Sequence, residues 1–381
     1  MSSTSLDLER LRTAAQAHVE AIASLAWRIC EVPAPTGQEF ERARFVATLW
    51  QERGYTPEID AVGNVYVRRA GKDPHAPVLL LLAHTDTVFP ASTPLEIRRE
   101  GDTLHGPGIS DNSVSVASML HTFDLLDELH LETATDVIAV ANVGEEGLGN
   151  LLGARTAVER YRSRLGAVLV IDGGLGYITH GAVGSQRWRV TVSGPGGHSY
   201  GSFGTPSAIH GLGRIIASLA DMQVPQKPKT TFNVGVIEGG TSINTIAAEA
   251  SALLDMRSTD VECLKQLAEE ARTRIEQSAG AGLTTTITVL GERPAGERSI
   301  HDPLVQLAAR TLQWLGLEVH YGSSSTDANI PISLNIPAVC IGVTHGENAH
   351  TLQEFFHISP LGQGLAQVGR LTVEASDMLA V

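Results

Sequence analysis

Short runs of consecutive apolar residues, separated by helix-like stretches, dominate the hydrophobic pattern of the chain. Val78 to Ala83, Val137 to Val143, Ala167 to Ile171 and Ala338 to Val343 are the clearest. Runs of this length without alternation are typical of parallel strands covered on both faces. Between them, Ser113 to Leu129 and Leu151 to Tyr161 carry apolar residues at helical spacing, as does Leu6 to Cys30 at the start. Thr36, with Glu39 three residues on, reads as a helix start in which the threonine caps. Strands alternating with helices predict a doubly wound α/β fold with a mixed, mostly parallel sheet.

The pattern changes near Gly181. Gln186 to Ser193 alternates apolar and polar residues, as a half-exposed strand does, and a helix is expected from about Pro206 to Leu219. Two more alternating segments follow, Thr231 to Ile237 and Asn244 to Arg257, then a helix from Val261 to Gln277 and a strand from Leu283 to Leu290. Strand, helix, two strands, helix, strand is the order of a ferredoxin-like α+β unit. The buried-strand pattern then resumes. The expected organisation is a discontinuous domain of residues 1–181 and 293–381, with residues 182–292 inserted into it.

Composition narrows the function. The chain of 381 residues has 28 Lys and Arg against 42 Asp and Glu, a net charge of −14. That balance opposes a nucleic-acid binder, which needs a basic stripe. Three scattered cysteines, Cys30, Cys263 and Cys340, form neither a disulfide framework nor a CxxC zinc motif, which suits a reducing compartment. The first residues, MSSTSLDLERLRT, place charges where a secretory signal needs an apolar core. The longest purely aliphatic run is too short to span a bilayer. A soluble cytoplasmic protein without membrane or nucleic-acid partners is the expectation.

The candidate chemistry sits where the buried strands end. Val78–Ala83 runs into His84-Thr-Asp86, Val137–Val143 into Gly144-Glu145-Glu146, and Ala167–Ile171 into Asp172. His350 follows the last run, and Asp111 follows the Gly-rich turn HGPGISDN. Ligands of open α/β sheets bind outside the carboxyl ends of the strands. His84, Asp111, Glu146, Asp172 and His350 are two imidazoles and three carboxylates, a set suited to zinc, cobalt or manganese. A catalytic zinc commonly takes three protein ligands, so five residues with one carboxylate shared would serve two ions. Asp86, two residues beyond His84 on the same face, can orient its imidazole. Glu145 can then face a metal-activated water as general base. GLG at 211–213 lies within a helical pattern with no strand immediately before it, and so opens no phosphate loop.

These motifs, AHTDTV, GPGISDN, GEEG, IDGG and GENAHT, resemble those of the dizinc exopeptidases and deacylases that include peptidase T, carboxypeptidase G, aminoacylase and succinyl-diaminopimelate desuccinylase. The resemblance implies that His84, Asp111 and Asp172 hold one zinc, and that Asp111, Glu146 and His350 hold the other, with Glu145 as base. It implies a cis peptide at Asp111-Asn112 and an insert that acts as lid and dimerisation domain. His198 in GPGGHSYGSFGTPSAIH would reach into the partner subunit's site and polarise the scissile carbonyl. Asn244 in TSINTIA and Arg257 in DMRS would bind polar groups of the substrate, and Arg293 with Thr326 and Asp327 would line the pocket. His345 and His357 match no position of the pattern and stay loop residues.

Asp rather than Glu at position 172 implies, within that family, a di- or tripeptide aminopeptidase. An N-acyl-amino-acid deacylase or carboxypeptidase is the alternative, in which Arg257 and Asn244 would grip the α-carboxylate of an acylated amino acid. A non-catalytic metal-binding scaffold is the reading from another class; it would be expected to lack Glu145 or one of the five ligands, and this chain has them all.

Overall fold

The computed structural model describes residues 6–380. The start of the charged N-terminal stretch, residues 1–5, lies outside them. The chain forms two compact units, Met1–Ala182 with Glu297–Val381, and Val183–Gly296.

The first unit is built on one sheet. Val137–Asn142, Val78–His84, Leu165–Ile171 and Ala338–Ile341 lie side by side in that order, all parallel. Val65–Arg69 joins antiparallel beside Val137–Asn142, and Tyr177–Ala182 antiparallel beside Ala338–Ile341. Every residue of Val78–His84 is buried, which explains why the run shows no alternation. Alternate side chains fill two separate cores. Leu79, Leu81 and Ala83 join a core with the helices Val114–Glu128 and Leu361–Leu379. Val78, Leu80 and Leu82 join another with Leu151, Ala154, Ala157 and Val158. Of the four parallel strands, the first in the chain, Val78–His84, has the second on one side and the third on the other. The winding therefore reverses beside Val78–His84, which creates a crevice at its carboxyl end.

Two local expectations change. The Leu6 to Cys30 pattern is two helices, Leu8–Ala17 and Val19–Cys30, interrupted at His18. There the imidazole is drawn sideways, with Nδ1 3.0 Å from His121 Nδ1 and Nε2 3.0 Å from Glu128 Oε2. The helix expected from Thr36 begins at Phe40, and Thr36 caps nothing.

The second unit is a four-stranded antiparallel sheet in the order Thr230–Gly239, Glu249–Ser258, Gly184–Ser193, Thr284–Arg293. The helices Ala208–Ala220 and Val261–Ser278 cover one face, where Trp188, Val190, Val192, Leu254 and Met256 form the core. This is the strand order of a ferredoxin-like fold. The segment expected as one strand from Asn244 is divided. Thr245–Ile246 pairs with Gly197–His198, and the long strand begins only at Glu249. A turn in which the Ser242 N–H donates to Thr245 Oγ1, and Thr245 Oγ1 back to the Ser242 carbonyl, diverts the chain there. Among the described residues no helix is long and apolar enough to cross a membrane.

Candidate metal centre

His84 is the last residue of its strand and is buried. Its Nε2 lies 2.9 Å from Asp111 Oδ1. Its Nδ1 lies 3.1 Å from the backbone oxygen of Asp86, and the Asp86 carboxylate is farther away at 3.5 Å. That carboxylate is committed elsewhere, because it accepts the Glu145 N–H at 3.0 Å, the Glu146 N–H at 2.8 Å and the Thr36 hydroxyl at 3.0 Å. Asp86 thus orients the His84 ring chiefly through its carbonyl, while its side chain fixes the Glu145-Glu146 turn. Thr36 serves that carboxylate instead of a helix end.

Asp111 lies in a wide turn at Ile109–Ser113 with φ −119° and ψ 86°, followed by a cis Asp111-Asn112 peptide. Regular helix starts at Val114. Asp172 follows Leu165–Ile171 directly, and its N–H donates to the Ile341 carbonyl at 2.9 Å. His350 has φ +66°, and its Nε2 lies 2.9 Å from Glu146 Oε1 and 3.2 Å from Asp111 Oδ2. The side chains fall into groups whose ligand atoms lie within 4.8 Å of one another: His84, Asp111 and Asp172, and Asp111, Glu146 and His350. Asp111 belongs to both. Glu145 joins His84 and Glu146 in a third such group.

The electrostatics are those of a site short of positive charge. Burial, then the Asp111 charge, pushes Glu146 up to about 7 and Asp172 up to about 6. Burial also works against the ionised form of Asp111, but hydrogen bonds to His350 and His84 hold it below the usual carboxylate range. The Asp111 hydrogen bond raises His350 to about 9. His84 is raised as well: burial opposes its charge, and the bonds to Asp111 and Asp86 outweigh it. Asp86, Asp111, Glu145, Glu146 and Asp172 crowd around two imidazoles, so divalent cations are the natural complement of this donor set.

Residues 180–282 match the family model of a peptidase dimerisation domain, and residues 64–177 match that of peptidase family M28. A peptidase M20 domain-containing protein of Schizosaccharomyces pombe is 30% identical over 260 residues, covering 65% of this chain and 63% of that protein. Two peptidase family models therefore match separate stretches of the chain, and the yeast protein is similar to it over a part of its length. The chain aligns with less than two thirds of that yeast protein's length. Among solved structures, a tripeptidase from Staphylococcus aureus superposes with a TM-score of 0.80 at 22% identity, covering 94% of this chain and 99% of that one. A dinuclear metal-binding M20 peptidase from Bacillus subtilis superposes with a TM-score of 0.72 at 18% identity, covering 95% and 99%. At such identities these two speak for the fold.

Two buried acids, Glu354 and Glu39, carry no sign in the sequence of belonging to the centre. Glu354 is completely buried and accepts the N–H groups of Gly108, Ser110 and Asp111 at 3.0, 2.8 and 2.8 Å. Burial raises its carboxyl to about 7. Glu39, expected in a capping box, accepts the N–H groups of Gly37 at 2.8 Å and Gly144 at 3.2 Å. Nothing local reveals these roles, because the amides of Gly108, Ser110 and Asp111 that Glu354 meets, and the Gly144 amide that Glu39 meets, are distant in sequence.

The remaining predicted residues divide between the units. Thr326 is buried in the first unit, where its Oγ1 accepts the Ala328 N–H at 3.2 Å, and the neighbouring Asp327 accepts the Asn142 amide at 2.7 Å. Burial raises Asp327 to about 6. In the second unit, His198 is exposed, and its Nδ1 accepts the N–H groups of Tyr200 at 3.3 Å and Gly201 at 3.2 Å. Those bonds leave Nε2 as the outward nitrogen. The Asn244 carbonyl accepts the Ser199 N–H at 2.9 Å, which places Asn244 beside His198. Arg257 donates to Asp255 at 2.8 Å, and Arg187 donates to the same carboxylate at 3.3 Å. Burial, with the charges of Arg293 and Arg257, lowers Arg187. The fold therefore gathers Arg257 and Arg293 with an arginine that sequence reasoning had passed over.

Proposed function

We propose that this chain is a metal-dependent exopeptidase that releases the N-terminal residue of di- and tripeptides. The observation that carries the reading is the pair of three-donor groups sharing Asp111, with Glu145 beside them. In this reading His84, Asp111 and Asp172 hold one ion, and Asp111, Glu146 and His350 hold the other. Zn²⁺ suits the donors best, and Co²⁺ or Mn²⁺ would also fit. Bound there, the ions would supply Lewis acidity toward the scissile carbonyl and an acidified water. Glu145 takes the proton of the attacking water and delivers it to the leaving amine. Asp86 and Glu39 hold the main chain of the turn that aims Glu145.

In the second unit, His198 polarises the carbonyl through its outward Nε2, and Asn244, Arg257 and Arg293 bind polar groups of the peptide. Thr326 contributes to the pocket wall. The unit of Met1–Ala182 with Glu297–Val381 is assigned the catalytic role, and Val183–Gly296, which includes Arg293, the lid and dimerisation role. The protein acts as a homodimer in the cytoplasm. Support for this part comes from the matched dimerisation domain and from the exposure of Tyr200 at 89%, Phe203 at 92% and Ile243 at 103% around His198. The names of the S. aureus tripeptidase and the B. subtilis dinuclear peptidase agree with a small peptide substrate and two ions.

A substrate panel on zinc-loaded protein tests the reading. Unblocked di- and tripeptides should turn over, and N-acetyl or N-succinyl amino acids should not. Turnover confined to the acylated compounds would assign a deacylase or carboxypeptidase instead. A fully loaded protein that hydrolyses neither set would leave a metal-binding scaffold.

Sharing of the site between subunits has its own test. His198→Ala and Glu145→Ala proteins, each inactive alone, should regain part of the activity when mixed and allowed to exchange subunits. A mixture that stays inactive while exchange is demonstrated would remove His198 from the partner's chemistry.

A further inference from the structure

We propose that Glu354 is a positioning residue that sets the spacing between Asp111 and His350, and thereby controls occupancy of the second ion more than the first. This rests on the two-ion reading above, and the residue has no contact with substrate in that scheme.

Asp111 and His350 come from segments far apart in sequence, so something must hold them in register. Asp111 lies in non-helical backbone, and the N–H groups of Gly108, Ser110 and Asp111 all converge on the Glu354 carboxylate. Removing a side chain that accepts three N–H groups leaves those donors without their partner, at a cost that burial increases. Glu354 lies four residues beyond His350 in the same hairpin, whose strands are Gly346–Glu347 and Phe355–His357. The main chain repeats the connection. The Gly106 N–H donates to the Glu354 carbonyl at 3.0 Å, and Phe355–His357 pairs with Thr103–His105. On the other strand of the hairpin, Gly346 packs so closely on Ser110 that a Cβ there would collide with the serine hydroxyl. The hairpin that carries His350 is thus latched to the turn that carries Asp111, and Glu354 bonds three amides of that turn.

The consequence is unequal for the two donor groups. Two of the three donors of the Asp111, Glu146 and His350 group depend on the latch. Only Asp111 does so in the group with His84 and Asp172. A residue with a merely structural role would weaken both sites alike, or neither.

Calorimetric titration of metal-free protein with Zn²⁺, in a competing chelator, reads the two affinities separately. The wild-type chain should take two ions. Glu354→Ala should take one with near wild-type affinity and bind the other at least about tenfold more weakly, in line with other residues that support metal ligands. Glu354→Gln should fall between, since its amide oxygen still serves Ser110 and Asp111 while its NH₂ opposes the Gly108 N–H. The absorption spectrum of the Co²⁺-loaded variant should change for the weakened site alone. Equal weakening of both ions in Glu354→Ala, or wild-type affinity for both, would overturn the proposal. If circular dichroism shows Glu354→Ala unfolded, Glu354→Gln decides: unchanged affinity for the second ion overturns it. A wild-type chain that takes up no stoichiometric zinc would overturn the two-ion reading itself, an outcome distinct from two ions bound equally by wild type and variants.

Discussion

Glu145→Gln should bind two metal ions as the wild type does, fold normally, and lose about 10²–10⁴-fold in kcat, the range a general base supplies. The substitution keeps the size of the side chain and leaves the Glu145 N–H on Asp86 Oδ1 undisturbed. It removes only the ability to accept a proton. Affinity for the peptide should change little, because the role assigned to Glu145 lies in the chemical step and not in binding. Metal content by mass spectrometry and steady-state kinetics on unblocked tripeptides check both parts. Turnover within tenfold of wild type in a fully loaded protein would exclude Glu145 as the base. Loss of an ion would instead move it among the ligands, where its grouping with His84 and Glu146 leaves room for it.

Much of the centre could be read before any coordinates, and the reason is geometric. A parallel strand buried on both faces has no polar position to spare until it ends, so an acid or histidine immediately after the apolar run stands out. His84, Glu145, Glu146 and Asp172 are all of this kind. Asp111 follows a Gly-rich turn and His350 lies in the loop after the last run; both belonged to the same set of five, and only the division of that set between two ions needed the resemblance to known exopeptidases. The insert was legible because its strands alternate, with one face packed on helices.

What escaped was the support beneath the candidate ligands. Glu354 and Glu39 look in sequence like ordinary loop and helix-start acids, and only the fold shows each meeting main-chain amides at strand ends. The role of Thr36 was misread for a related reason. Its spacing to Glu39 is that of a capping box, but long-range contacts to Asp86 and Gly144 take up both side chains. Local spacing cannot reveal a competition that distant residues win. The same holds for His18, where the partners that interrupt the first helix, His121 and Glu128, lie on another helix.

Asp111→Ala should abolish stoichiometric binding of both ions, whereas Asp172→Ala and His350→Ala should each cost chiefly one. The difference follows from sharing: Asp111 is the only residue common to the His84–Asp172 and Glu146–His350 groups. The loss should also register as stability. A ligand bound only by the folded state stabilises it by RT ln(1 + [L]/Kd), about 4 kcal/mol when free metal is 1,000 times Kd. Chelation should therefore lower the melting temperature of the wild-type protein clearly, and that of Asp111→Ala hardly at all. The alanine also removes the carboxylate that now faces His84 Nε2 and His350 Nε2, although His84 keeps the Asp86 carbonyl and His350 keeps Glu146. Activity should fall to background, and added Zn²⁺ should not restore it. The measurement is metal content together with melting curves, with and without chelator, for the three variants. An Asp111→Ala protein that retains one tight ion and a chelator-sensitive melting temperature would show that the two donor groups are independent. The site would then have to be redrawn around His84, Glu145 and Glu146, whose ligand atoms also lie within 4.8 Å of one another.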